Sequence, residues 1–271
     1  MVAVFHEKTY KHIQHHTALI TGASSGIGLE LAKCFAADRH NLVLIARSES
    51  ALRALAAELT QQYGIQAHVI AADLSDYRQA RAIFEETERQ SPRIDYLVNN
   101  AGFGDFGLLH QSDWEKQERM INLNVTALTY LTHLYLPGMV ARRFGRVMNV
   151  ASTATFQPGP TMSVYFATKA FVLHFSEAIA NELEGTGVGV NAFCSGPTES
   201  GFQTAAAMQE SKMVKGRKLP SAESVAKARY RAFMRKKTVY IPGFMNNLLA
   251  LGTRFSPRWL NVKIARSMQD K

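Results

Sequence analysis

The hydrophobic period of this chain changes repeatedly along its length, and that constrains the fold more than any single motif. Short, continuously apolar runs alternate with segments whose apolar residues recur at helical spacing. "TALIT" (17–21), "NLVLIA" (41–46) and "QAHVIAA" (66–72) read as strands. So do "IDYLVNNAG" (94–102), "GRVMNVAS" (145–152), "VGVNAFC" (188–194) and "TVYIPG" (238–243). Residues 26–40, 50–64, 76–90, 113–140, 163–184 and 221–237 read as helices. Gly64 and Gly185 are stop signals, and the helix from 113 is expected to end near Pro137 and Gly138. Strands that are apolar throughout need cover on both faces. Strict alternation with helices therefore predicts an α/β fold, a single doubly wound parallel sheet of about seven strands. With no linker in sight, residues 1–271 are expected to form one domain. It would carry an N-terminal extension (1–16), a lid near 199–220 where the alternation breaks, and a basic C-terminal tail (about 244–271).

Composition narrows the class. The chain is 46% hydrophobic and 20% charged, enough apolar residue for a sizeable core. Its two cysteines, Cys34 and Cys194, lie in apolar runs without partner spacing, so no disulfide framework or cysteine-based zinc site is expected. That suits a reducing, cytoplasmic setting. The polar N-terminal stretch has no apolar leader core, and no run of about 18 apolar residues predicts a spanning helix. His12, His15 and His16 have no carboxylate or cysteine company, so no metal site is expected.

The net charge of +9 is uneven: Lys212 to Lys271 holds 15 basic and two acidic residues. The basic residues are interspersed rather than blocked, which reads first as a solvated basic face. Nucleic acid is not expected as a partner. For the tail at 240–268, which mixes aromatics, leucines and basic residues, three readings stay open. It packs on its own domain or a partner subunit, it walls a substrate pocket, or it rests peripherally on an anionic membrane.

"TGASSGIG" (21–28) sits where the first strand runs into the first helix. In an open parallel sheet, ligands bind beyond the carboxyl ends of the strands. The free N–H groups of the helix and its dipole favour an anion there. Glycine lets the backbone approach a phosphate with no Cβ between them. The spacing is GxxxGxG rather than GxGxxG, and alone it leaves a ligand-free turn open. The second strand ends at Ala46, followed by Arg47. An acidic residue at this position would take a ribose 2′-hydroxyl, whereas arginine suits a 2′-phosphate. That points to NADP(H), with NAD(H) kept open, unless Arg47 is an ordinary surface arginine. Asp73, ending the third strand, could face an adenine amino group or simply cap a helix.

Tyr165 and Lys169 lie four apart on one helix face. A tyrosine with its usual pKa near 10 is a poor acid or base at neutral pH, and a neighbouring cation lowers that value. Ser152, at the end of "RVMNVAS", can hydrogen-bond a reacting oxygen at the same sheet edge.

The set TGASSGIG, Asp73, NNAG (99–102), Asn124, Ser152 and Tyr165-x-x-x-Lys169 resembles the short-chain dehydrogenase/reductase family over roughly residues 15–245, which implies a Rossmann-like fold. The resemblance implies that Gly22, Ser24, Ser25, Gly26 and Ile27 hold the phosphates and ribose of the cofactor. Asp73 and Leu74 would sit by the adenine, and Asn100, Ala101 and Gly102 along the groove. Tyr165 would be the general acid/base, Ser152 would orient the substrate oxygen, and Lys169 would bind the nicotinamide ribose and depress the Tyr165 pKa. Asn124, rather than Asn122, would hold a relay water. After the sixth strand the family usually has Pro-Gly; here Ser195-Gly196-Pro197 stands, with Thr198 left to face the carboxamide and Ser200 where the family often has threonine. The implied activity is hydride transfer between NADP(H) and a carbonyl or secondary alcohol, on a substrate of lipid-like, ketoacyl or steroid-like type, in a homodimer or homotetramer. The alternative is a nucleotide-binding sensor or scaffold that has lost the chemistry.

Overall fold

The computed structural model describes residues 16–269, apart from 91, 92, 207, 209, 210, 212–215, 217 and 236. His12 and His15 lie outside the described residues. Seven strands form one parallel sheet: β1 (Thr17–Thr21), β2 (Asn41–Ala46), β3 (Ala67–Ala71), β4 (Ile94–Asn99), β5 (Gly145–Val150), β6 (Val188–Phe193) and β7 (Val239–Tyr240). Their order is β3-β2-β1-β4-β5-β6-β7, and every neighbouring pair is parallel. The order reverses between β1 and β4, so their carboxyl ends diverge into a crevice.

Helices α1 (Gly26–Ala37), α2 (Glu49–Tyr63) and α8 (Ala222–Met234) supply core residues to one face; α3 (Gln79–Gln90), α5 (Leu128–Ala141) and α6 (Ser163–Glu182) supply them to the other. Strand alternation does the sorting. Ala18 and Ile20 pack with Leu31, Phe35, Tyr230 and Phe233, while Leu19 packs with Val43, Ile45, Ile83, Leu131 and Met139. Phe35 is fully buried, and truncating such a side chain to alanine costs about 3–5 kcal/mol.

Two expectations need correction. The helix expected to stop near Pro137 runs on to Ala141. Proline removes one N–H, but Pro137 and His133, whose carbonyl loses its partner, both lie on the solvent face, so no orphaned acceptor is shut in the core. The same stretch is also not one uniform helix. α4 (Trp114–Ile121) passes through a π-helical turn at Asn122–Ala127 before α5 begins. The extra residue in that turn resets the helical register, and Asn124 falls inside it, buried.

Beyond β6 come a short helix, α7 (Phe202–Ala205), and then α8. The tail forms two more helices, α9 (Phe244–Phe255) and α10 (Arg258–Gln269), parted at Pro257.

Candidate active site

The carboxyl ends of the strands open into a cavity of 510 Å³. Every site residue expected from the sequence lines it except Asn124, which stands behind the wall. Gly22, Ser24, Ser25, Gly26 and Ile27 come from the β1–α1 corner, Arg47 from the end of β2, and Asp73 and Leu74 from the end of β3. Asn100, Ala101 and Gly102 follow β4; Ser152, Tyr165 and Lys169 follow β5; Gly196 and Thr198 follow β6.

The β1–α1 corner is shaped by close backbone approach. Gly22 has φ +68°, which favours glycine, and a Cβ on Gly28 would lie 2.1 Å from the Gly22 carbonyl oxygen. The Ser25 side chain makes no capping bond and the first turn of α1 holds no acid, so the helix N-terminus is free to meet an anion. The loop after β4 is tied to this corner. Thr21 Oγ1 accepts from the N–H groups of Asn100 and Ala101, both at 3.0 Å, and Asn100 Nδ2 donates to Thr21 O at 3.0 Å.

Tyr165 and Lys169 lie on one face of α6, both buried. Lys169 donates to Val150 O at 2.7 Å, and its ammonium is 5.8 Å from the centre of the Tyr165 ring. A Cβ on Gly102 would meet Asn124 Oδ1 at 2.9 Å and Lys169 Nζ at 3.4 Å, so that glycine lets the two polar groups close on the loop. Asn124 Nδ2 donates to Phe103 O at 2.9 Å and to Thr168 Oγ1 at 3.1 Å. The Ser152 hydroxyl donates to Ser195 O at 3.3 Å and accepts from Ala154 N at 3.2 Å.

The electrostatics depart from the simple expectation. Burial pushes the Tyr165 phenol up to about 12, offset in part by the nearby Ser152 hydroxyl and by the Arg229 charge. Lys169 is pulled down to about 8, by burial first and then by Arg229. In this arrangement desolvation outweighs any lowering of the tyrosine by Lys169.

Residues 16–211 match the short chain dehydrogenase family. The chain belongs to the short-chain dehydrogenase/reductase family. It is 36% identical over 180 residues to the 7beta-hydroxysteroid dehydrogenase of Collinsella aerofaciens, covering 66% of this chain and 68% of that one. It is 37% identical over 180 residues to the very-long-chain 3-oxoacyl-CoA reductase of Pyrenophora tritici-repentis, covering 63% and 51%. The matched stretch spans between 51% and 68% of the first curated relatives. Among solved structures, a short-chain dehydrogenase from Sphingobium yanoikuyae in complex with NADPH superposes with a TM-score of 0.79 at 36% identity, covering 89% of this chain and 94% of that one.

This short-chain dehydrogenase also carries site residues that sequence reasoning missed. Arg229, on the helix expected to be a solvated basic face, is fully buried and lines the cavity. Its guanidinium stacks 4.1 Å from the centre of the Phe193 ring and donates to Asn100 Oδ1 at 3.4 Å and Ser195 Oγ at 3.3 Å. All three partners are neutral, and among the described residues its Nε has no hydrogen-bond partner. Burial pulls its pKa down to about 9. Ser195, at the position where the resemblance implies proline, is thus an acceptor for Arg229 through its hydroxyl, while its carbonyl accepts from Ser152 and from Thr153 N. Arg119 is the second missed residue. It donates to Asp73 Oδ2 at 3.2 Å, while Asp73 Oδ1 accepts from the Ser75 hydroxyl and N–H. Burial raises the Asp73 pKa, but Ser75, Arg119 and Arg47 together hold it below the usual carboxylate value. The corner without Cβ atoms, the uncapped helix end and the uncompensated guanidinium fit a bound dinucleotide.

Proposed function

We propose that this chain is an NADP(H)-dependent oxidoreductase interconverting a carbonyl and a secondary alcohol on a bulky apolar substrate of lipid-like, ketoacyl or steroid-like type. The observation that carries it is the convergence of Ser152, Tyr165 and Lys169 on the same cavity wall as the glycine corner. Support for the 2′-phosphate comes from Arg47 on that wall, following Ala46 with no acid at the strand end. Support for an apolar substrate comes from Phe103, Met162, Phe166, Phe202 and Met208, which line the remaining space, and from the substrates named for the relatives above.

Gly22, Ser24, Ser25, Gly26 and Ile27 cradle the phosphates and ribose, and Arg229 balances their charge from the β6 side. Asp73 and Leu74 flank the adenine, Asn100, Ala101 and Gly102 line the middle of the groove, and Gly196 and Thr198 meet the carboxamide. When bound, the dinucleotide supplies or accepts the hydride. Tyr165 delivers the proton to the substrate oxygen, and its raised pKa keeps that proton in place until it is needed. The Ser152 hydroxyl hydrogen-bonds the same oxygen. Lys169, with a pKa of about 8, binds the nicotinamide ribose and exchanges protons near neutral pH; Asn124 positions the water that refills it. Phe202, Gln203 and Met208 cover the substrate side. The chain works as a homodimer or homotetramer in the cytoplasm, joined through α5 and α6, where Phe171 stacks half-exposed on Phe175.

The test is oxidation of NADPH, beside NADH, against ketones graded in size and polarity. The reading expects turnover with bulky apolar ketones and a preference for NADPH. Equal use of NADH refutes the cofactor assignment, and no turnover with any ketone refutes the substrate class.

A further inference from the structure

Helices α9 and α10 reverse the usual arrangement of an amphipathic helix. Most of the residues they turn inward are polar or small, with Leu260 and Met268 half-buried among them. Asn246, Ala250 and Thr253 face the protein from α9, and Asn261, Ala265 and Gln269 from α10. Asn261 is fixed there by donating to Thr253 O at 3.1 Å. The residues turned outward are large and apolar. Phe244, Leu248, Leu251 and Phe255, spaced i, i+4, i+7 and i+11, make one stripe, with exposures of 82%, 49%, 52% and 83%. Met245, Leu249, Trp259, Val262 and Ile264 are exposed as well. In water, a surface helix buries such a stripe against a core, and an exposed apolar patch of this kind marks an interaction site.

Charge chooses the occupant. Residues 244–269 include Arg254, Arg258, Lys263 and Arg266 and no acidic residue. Arg254, Arg258 and Lys263 are exposed beside the apolar stripe, with Lys263 5.2 Å from the centre of the Trp259 ring. A second copy docked through this face would set these cations against their own kind. A soluble polyanion would have no use for the phenylalanines and leucines. An anionic bilayer takes both, its headgroups meeting the cations and its acyl boundary meeting the apolar side chains.

The position of the surface agrees with this. The far end of α10 touches the loop between Ser152 and Tyr165, where the Thr161 hydroxyl lies 3.1 Å from Gln269 Oε1. Thr161 holds a left-handed φ of +67°, rare for a β-branched residue, so the segment beside the tail is a strained part of the cavity rim. Ser211, beyond β6, donates to Gln269 O at 3.2 Å. At the other end, Asn246 packs against Gly196.

We propose that α9 and α10 dock this protein on an anionic lipid surface, with the cavity rim beside the bilayer. The choice of an apolar substrate in that rim rests on the function proposed above; the docking itself does not. The test is sedimentation of the full chain with phosphatidylcholine vesicles, with and without phosphatidylserine. Binding is expected only with phosphatidylserine and is expected to fall in high salt. The exposed double variant Phe255→Glu/Trp259→Glu should lower the partition coefficient at least tenfold. Reversing Arg254, Arg258 and Lys263 to glutamate should lower it about a hundredfold or more, since each cation contributes roughly 1 kcal/mol at such a surface. In a Trp114→Phe chain, which leaves Trp259 as the lone tryptophan, emission should shift to the blue on anionic vesicles, a readout that needs no change in the surface itself. No binding to anionic vesicles, binding untouched by both sets of changes, or a face whose changes halve the mass in light scattering without affecting vesicles would each overturn the proposal. NADPH oxidation with a bulky apolar ketone, in vesicle-free solution, should be unchanged in the tail variants. If the parent chain lacks that activity while vesicle binding stands, the enzymatic reading fails and the docking does not.

Discussion

Replacing Arg229 with methionine should make the cofactor-free protein more stable while weakening its hold on NADPH. Burial takes the arginine well below its ordinary value, to about 9, which at about 1.4 kcal/mol per pH unit places roughly 5 kcal/mol on the charged form. Methionine fills a similar space without charge. It leaves Asn100 Oδ1 and Ser195 Oγ each short of one long hydrogen bond, about 1 kcal/mol apiece, and gives up the stacking of the guanidinium on Phe193, about 1–2 kcal/mol. The balance is a gain of about 1–2 kcal/mol at pH 7, or a melting temperature higher by about 2–6 °C. The sign in pH follows from linkage. The folded pKa of the arginine lies below its unfolded value, so the penalty is full below pH 9 and fades as the pH climbs toward the unfolded value. The methionine variant's advantage should therefore be largest at pH 7 and smaller at pH 10. Saturating NADPH should raise the melting temperature less in the variant than in the parent, because an anion-facing cation has gone. Thermal unfolding of both proteins, with and without NADPH, at both pH values supplies every quantity. A variant no more stable than the parent at pH 7, or an advantage that grows with pH, refutes the reasoning.

Other substitutions probe the rest of the site. Gly28→Ala drives a Cβ into the Gly22 carbonyl, and should lower stability by about 3 kcal/mol and abolish NADPH-induced stabilisation in a thermal-shift assay. Gly102→Ala pushes on Asn124 and Lys169 and should lower kcat about 10- to 100-fold with a smaller change in the KM for NADPH, measured by steady-state kinetics. Ser195→Pro removes the hydroxyl that accepts from Arg229 and should destabilise the fold by about 1–3 kcal/mol in urea unfolding. Arg47→Glu should raise the KM for NADPH more than that for NADH, narrowing the preference between them.

The sheet was legible because its strands are apolar on both faces and its helices carry an unmixed period. Ser152, Tyr165 and Lys169 were legible because strand ends and four-residue helix spacing bring them to one edge. What escaped was set by tertiary context. Pro137 reads as a stop, but its position on the solvent face lets the helix continue. The π-helical turn at Asn122–Ala127 has no glycine or proline to announce it. Arg229 belongs to a basic run in sequence, and only packing against Phe193 and Ser195 separates it from its exposed neighbours. The hydrophobic pattern of the tail shows an amphipathic helix but not which face turns inward, and here it is the polar one. The tyrosine pKa was anticipated to fall because a cation stands four residues away; burial, which the spacing does not reveal, raises it.

The most direct test of the proposed chemistry compares Tyr165→Phe with the parent in two assays, calorimetric titration with NADPH and loss of reduced-nicotinamide absorbance with a bulky apolar ketone. Phenylalanine keeps the ring packed on Phe202 and removes only the phenol hydroxyl. The account predicts NADPH affinity within about threefold of the parent and turnover lower by about 10³-fold or more. A variant that binds NADPH and turns over the ketone at the parent's rate would contradict it.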